Sequence, residues 1–262
     1  MKIILTLLLL LNIQPAFAQP STVLNTQQTG TGSAAARPQE PSGAASSMVI
    51  QLGTKSVVIP SPEGFGEATS QLEAIKRFFA ATEDPNLDPL AIHMPFETIV
   101  RLKQGEYFDL PFYTKVSIAK KNREIDYSVK DFSSLVSYMK AGGGRILDMD
   151  SPEMKAMMKD QNKSLSELLA QEVTIDLSQP VNLGVIEQTQ NSYSVLILIK
   201  IKFQSGSAQK EKLMVSSATL MRLNQRLIFV YTYRHADTKE DTDILRNFTR
   251  KWVAQILKAN AA

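Results

Sequence analysis

The sequence predicts an α+β fold in which an antiparallel sheet is covered by helices, and three observations predict it. Near the C-terminus, three runs of period two (Tyr193 to Phe203, Leu213 to Leu223 and Leu227 to Tyr233) are separated by Ser205-Gly206-Ser207 and by Asn224-Gln225. Alternation broken by turn residues is the pattern of an antiparallel meander. Beyond it, Ile244, Phe248, Trp252 and Ile256 recur every four residues with Leu245 beside them, which predicts a closing helix packed on that sheet with Trp252 buried. Upstream, strands and helices do not alternate regularly, as a doubly wound parallel sheet would require.

Taken in order, Met1-Lys2 precedes an apolar run from Ile3 to Leu11, followed by Gln14-Pro15 and by Ala16 and Ala18 flanking Phe17. This reads as a secretory signal peptide, residues 1–18, cleaved after Ala18. The apolar run has roughly half of the ~20 residues a spanning helix needs, and no second span follows, so the mature chain is expected in a periplasm with no membrane span and no lipid. Residues 19–47 are mostly Gln, Thr, Ser, Gly, Ala and Pro, with Val23 and Leu24 as the only large aliphatics. Such a segment cannot offset its ordering entropy and is expected to be a disordered polar linker. A single α+β domain is expected over 48–260, roughly 210 residues, enough to bury a core without staples.

Within that domain, Met48 to Leu52 and Lys55 to Ile59 around Gly53-Thr54 predict a hairpin or bulged strand. Ser70 with Glu73 has the spacing of a capping box, which predicts a helix over about 71–81 with Leu72, Ile75 and Phe79 on one face. Leu90 to Met94 predicts a short strand. Phe112 to Ala119 predicts another, with Phe112, Thr114, Val116 and Ile118 toward the core. Asp131 is expected to cap a helix striped by Phe132, Leu135, Val136 and Met139, which Gly142 to Gly144 would end. Ser151-Pro152 predicts one further helix start, and Ser164 with Glu167 a second.

Composition narrows the chemistry. Of 262 residues 44% are hydrophobic and the formal net charge is only +3, too weak a bias to imply nucleic acid. Cysteine is absent, which excludes disulfides, thiol nucleophiles, thiolate metal sites and a cysteine lipid anchor. There are two histidines, His93 and His235, too few for a three-histidine metal site. His235 lies near Asp237, Glu240, Asp241 and Asp243, but the spacing is not that of a calcium loop, and acids ahead of a helix also suit its positive end. No G-x-S-x-G elbow is present, and the glycines at 142–144 follow a predicted helix, whereas a phosphate loop precedes one. No metal site or cofactor is expected.

The phrases Ile59-Pro60-Ser61-Pro62-Glu63-Gly64-Phe65 and Ile228-Phe229-Val230-Tyr231-Thr232-Tyr233, followed by acids and by Trp252 through Asn260, resemble a group of exported bacterial proteins. Their architecture is similar to the PsbP-like α/β/α sandwich of the extrinsic oxygen-evolving subunit of photosynthesis and of a Ran-binding import factor. The resemblance spans about 48–260 and implies a protein that acts by binding. It carries over no functional residue.

Read from the residues themselves, the candidate contact site is the aromatic run around Pro111: Tyr107, Phe108, Phe112 and Tyr113. A proline disfavours a central strand, and an edge or loop would leave some of these rings facing a partner. The expectation is a non-catalytic periplasmic binding or assembly domain whose partner is a protein or cell-envelope component. The alternative is a hydrolase or metal-dependent enzyme whose site is scattered in sequence.

Overall fold

The computed structural model describes residues 47–106, 110–141 and 148–261. The predicted signal peptide, the predicted linker up to residue 46, and the glycines at 142–144 lie outside the described residues. The first strand, β1, runs Ser47–Leu52 and pairs with β2, Lys55–Pro60, as the predicted hairpin, with Gly53 at φ 62° in the turn.

The main sheet has eight strands, all antiparallel. They are β3 (Phe65–Glu67), β4 (Leu87–Pro95), β5 (Phe112–Ala119), β6 (Val173–Leu177), β7 (Val181–Gln188), β8 (Ser192–Ser205), β9 (Ala208–Leu223) and β10 (Arg226–His235). Their spatial order is β3-β4-β5-β10-β9-β8-β6, with β7 also on β8. The predicted meander is β8, β9 and β10. At its second turn Asn224 and Gln225 both adopt positive φ, 47° and 67°, the left-handed pair that a two-residue hairpin turn requires.

Helices cover both faces. On one, α1 (Glu73–Thr82), α3 (Val129–Ala141) and α4 (Pro152–Leu169) bury Ile75, Phe79, Phe132, Val136, Met154 and Leu165 against Tyr113, Ile197 and Tyr231. On the other, α5 (Glu240–Ala259) and the β1–β2 hairpin enclose Val116, Ile118, Met221, Ile228 and Val230 with Trp252, Val253 and Ile256. A short helix, α2 (Phe96–Lys103), follows β4 beside the end strand β3. A Cβ on Gly66 would lie 2.9 Å from the Phe96 ring, so α2 sits that close only because residue 66 has no side chain. Among the described residues no helix is long and apolar enough to cross a membrane.

Several local expectations are corrected. Ser70 and Glu73 make no capping box: α1 has no side-chain cap, because the Glu67 carboxylate at the end of β3 already accepts the N–H groups of Thr69 and Ser70. At α3 the box is Ser128 with Asp131, each side chain accepting the other's backbone N–H, so Asp131 sits one turn inside the helix. Ser151 does cap α4, accepting from Met154 N. Ser164 and Glu167 start no second helix, since nothing between 152 and 169 interrupts the first. Along its later turns α4 seals the edge of β6: the Asn162 amide bonds Ile175 N and O, and the Ser166 hydroxyl bonds Val173 N and O. These side chains replace a neighbouring strand on part of an otherwise open edge.

The closing helix is rotated from the predicted stripe. Leu245, Thr249, Trp252, Val253 and Ile256 are buried, Phe248 is half-buried, and Ile244 is 43% exposed. Thr249 reaches the core because the strands beneath it supply hydroxyls: Ser217, Thr232 and Thr249 form a closed set of hydrogen bonds of 2.6 to 3.0 Å. Small polar side chains there bring α5 close to the sheet without leaving a donor unpaired.

Candidate functional site

Pro111 does not make its strand an edge. β5 lies inside the sheet between β4 and β10, and the proline stands just before its first residue. There the missing N–H costs nothing, and its carbonyl accepts from His235 N at 2.9 Å. The four candidate rings are consequently not one cluster. Tyr107 and Phe108 lie outside the described residues. Phe112 and Tyr113 are consecutive strand residues and point to opposite faces.

Tyr113 is corrected to a core residue: it is 1% exposed and stacked on Tyr233 with ring centroids 4.6 Å apart. Burial raises its pKa well above the usual tyrosine value, and the Glu83 charge adds to this. Its ring is not available to a partner at the surface.

Phe112 stays partly at the surface. It is half-buried at the start of β5, edge-on to Phe65 at 5.0 Å and to Phe248 at 4.7 Å. The Arg234 guanidinium lies 5.2 Å from its ring centroid and is fixed by a 2.6 Å hydrogen bond from Nε to Asp241. Ile244 stands one helical turn ahead of Phe248, and on the other side of β3 the α2 residues Phe96 and Val100 are also exposed. The end of the sheet at β3 therefore carries apolar surface from three elements. Phe65 and Phe248 are not recognisable as site residues in sequence, being 47 and 136 positions from Phe112, and the apolar stripe that holds Ile244 carries no sign that Ile244 is exposed.

Asp241 is not available as a metal ligand. Burial works against its charge, but hydrogen bonds from Arg234 and from Thr238 N and Oγ1 outweigh this and lower its pKa. Among the described residues no group of three or more His, Asp or Glu is placed to hold a metal ion.

His93 lies under α5. It is fully buried, its ring 5.6 Å from that of Trp252, with Nδ1 3.3 Å from Thr114 Oγ1 and no partner on Nε2. Burial lowers its pKa to about 4, against a smaller upward pull from Glu67. A histidine neutral in the fold and basic when unfolded leaves stability intact above the unfolded value near 6.5 and erodes it as pH falls toward 4. The loss attributable to His93 should be on the order of 3 kcal/mol. Urea unfolding at pH 7, 5 and 4 should show a flatter decline for His93→Asn than for the parent chain; parallel declines would mean that His93 already binds its proton in the fold.

On the helical face opposite α5, Lys115 and Glu83 form an ion pair of 3.1 Å with side chains 1% and 4% exposed, and Ser117 Oγ donates to the same carboxylate. Lys115 also lies 5.1 Å from the Tyr231 ring centroid, while the hydroxyls of Tyr113 and Tyr231 have no hydrogen-bond partner among the described residues. The pair fastens the end of α1 to the centre of the sheet and does not reach solvent.

A cavity of about 610 Å³ opens at the other end of α5, between the β7–β8 turn, the β9–β10 turn and the last helical turn. Among the described residues its wall contains no histidine, serine, aspartate or glutamate.

No protein-family model and no curated protein matches the chain. Among solved structures the chain is similar to the Ran-binding protein Mog1p of Saccharomyces cerevisiae, at 13% identity over 83% of this chain and 93% of that one, with a TM-score of 0.28.

Proposed function

We propose that this chain is a non-catalytic binding or assembly module of the periplasm, of PsbP-like architecture, which meets a protein or cell-envelope partner through the aromatic end of its sheet around Phe112. The observation that carries the reading is the contrast between two surfaces. Among the described residues, the cavity at the end of α5 has no converging His, Ser or carboxylate side chains of the kind acid–base or nucleophilic chemistry needs, and His93 is buried beneath Trp252. The end of the sheet, by contrast, presents half-buried Phe112 and Phe248 beside exposed Ile244, a hydrophobic centre edged by the Arg234–Asp241 pair. An aromatic centre with a charged rim is the usual anatomy of a protein contact. A central sheet with helices on both faces and the sequence phrases quoted above support the architectural part.

The test is site-specific photo-crosslinking in the exporting cell. A crosslinker at position 244 should give one discrete adduct, and the same group at exposed Leu168 on α4 should not. Ile244→Asp should remove capture of that partner while leaving the melting temperature within a degree or two, since an exposed side chain contributes little to stability. Adducts of equal yield at 244 and 168, or none at 244, would sink the proposal.

A further inference from the structure

We propose that the cavity at the end of α5 is a binding site for a small ligand bearing an oxyanion, a carboxylate or a phosphate, on a polar body. At about 610 Å³ it falls within the ~300–1,000 Å³ range of small-molecule sites. Arg222 and Lys258 both line it, and neither forms an ion pair among the described residues. Arg222 is half-buried. Its Nε donates to Tyr127 O at 2.7 Å and its Nη1 to Asn191 Oδ1 at 2.9 Å, both neutral acceptors, and Nη2 has no partner among the described residues. Cations withdrawn from water on β5 and β10 are treated differently: Lys115 meets Glu83, Arg226 meets Asp126, and Arg234 meets Asp241. A guanidinium held in place by its own Nε and Nη1, with Nη2 left over and no aspartate or glutamate among the described residues of the wall, is arranged for an anion from outside the chain.

The walls are fixed before any ligand arrives. Asn224 Nδ2 donates to Ser56 O at 2.7 Å, and the Asn260 amide bonds both Val58 N and Val58 O, so the turn and the helix end are tied to β2. Asn260 and Ala261 also occupy the last carbonyls of α5, those of Ile256, Leu257 and Lys258. That blunts the negative helix end which would otherwise repel an anion. The side-chain NH2 of Asn191 remains for the polar body of the ligand.

The test is calorimetric titration of the purified chain with inorganic phosphate and, separately, with succinate, at constant ionic strength. Saturable binding of phosphate alone would identify a phosphate ligand, and of succinate alone a carboxylate. Arg222→Gln should weaken binding about tenfold or more, Lys258→Gln about threefold, and Lys163→Gln on the distant face of α4 not at all. Lys258 makes no structural hydrogen bond through its side chain, so its variant reports on the site even where the Arg222 variant fails to fold. Absence of saturable binding for both anions overturns the proposal, as does an equal effect of Lys258→Gln and Lys163→Gln. The aromatic end of the sheet is untouched by these variants, so crosslinking at position 244 is independent of the outcome.

Discussion

Glu83→Leu is expected to destabilise the fold by about 3–5 kcal/mol, because it leaves the Lys115 ammonium under α1 without the carboxylate that stabilises it there. Desolvating a lone ammonium costs several kcal/mol, and the 3.1 Å contact with Glu83 offsets most of that only while both charges are present. The double variant Glu83→Leu with Lys115→Met removes both charges and keeps the volume. It should recover most of the loss, to within about 1–2 kcal/mol of the parent, since apolar replacements of a whole buried pair are often neutral. Urea unfolding of the parent, both single variants and the double at pH 7 gives the cycle directly. A harmless Glu83→Leu would show that the ammonium is stabilised by water or by a group other than Glu83, and that the ion pair does not hold α1.

Trp252→Ala should cost a similar amount, about 3–5 kcal/mol, by a different route. The indole is 1% exposed, packs against the His93 ring and the Phe248 ring, and donates from Nε1 to Pro60 O at 2.8 Å. It is thus the post between three parts: the closing helix, the main sheet and the separate β1–β2 hairpin. Trp252→Phe keeps much of the volume and loses the hydrogen bond, so its cost should be smaller, about 1–2 kcal/mol, and should appear as faster amide exchange in β2. As the only tryptophan, residue 252 also reports its own burial: emission at the wavelength of indole in water from the folded chain would contradict the packing described.

Periodicity made the C-terminal half legible. β8, β9, β10 and α5 are each long enough to show several repeats, and Ser205-Gly206-Ser207 and Asn224-Gln225 mark the turns between them. The same alternation is present in β6, where Val173, Ile175 and Leu177 are buried and Thr174 and Asp176 exposed, but five residues are too few to distinguish it from chance. The fold class and the burial of Trp252 therefore followed from the sequence, because they depend on patterns internal to single segments. What lay across β5 did not. Lys115 and Ser117 read as a solvent face, and only the second helical layer makes them core, through a carboxylate 32 residues earlier. The aromatic run around Pro111 divides for the same reason: the pleat sends Phe112 and Tyr113 to opposite sides of the sheet, leaving the first half-buried and the second in the core. Phe65, Phe248 and Ile244 join Phe112 only where β3, β5 and α5 meet in space. The cavity beside Arg222 is likewise a product of two turns and a helix end far apart in the chain. Local spacing determines which residues alternate, cap or turn; which side of a strand is covered, and which cation lacks a carboxylate, is decided by the elements that tertiary packing brings against it.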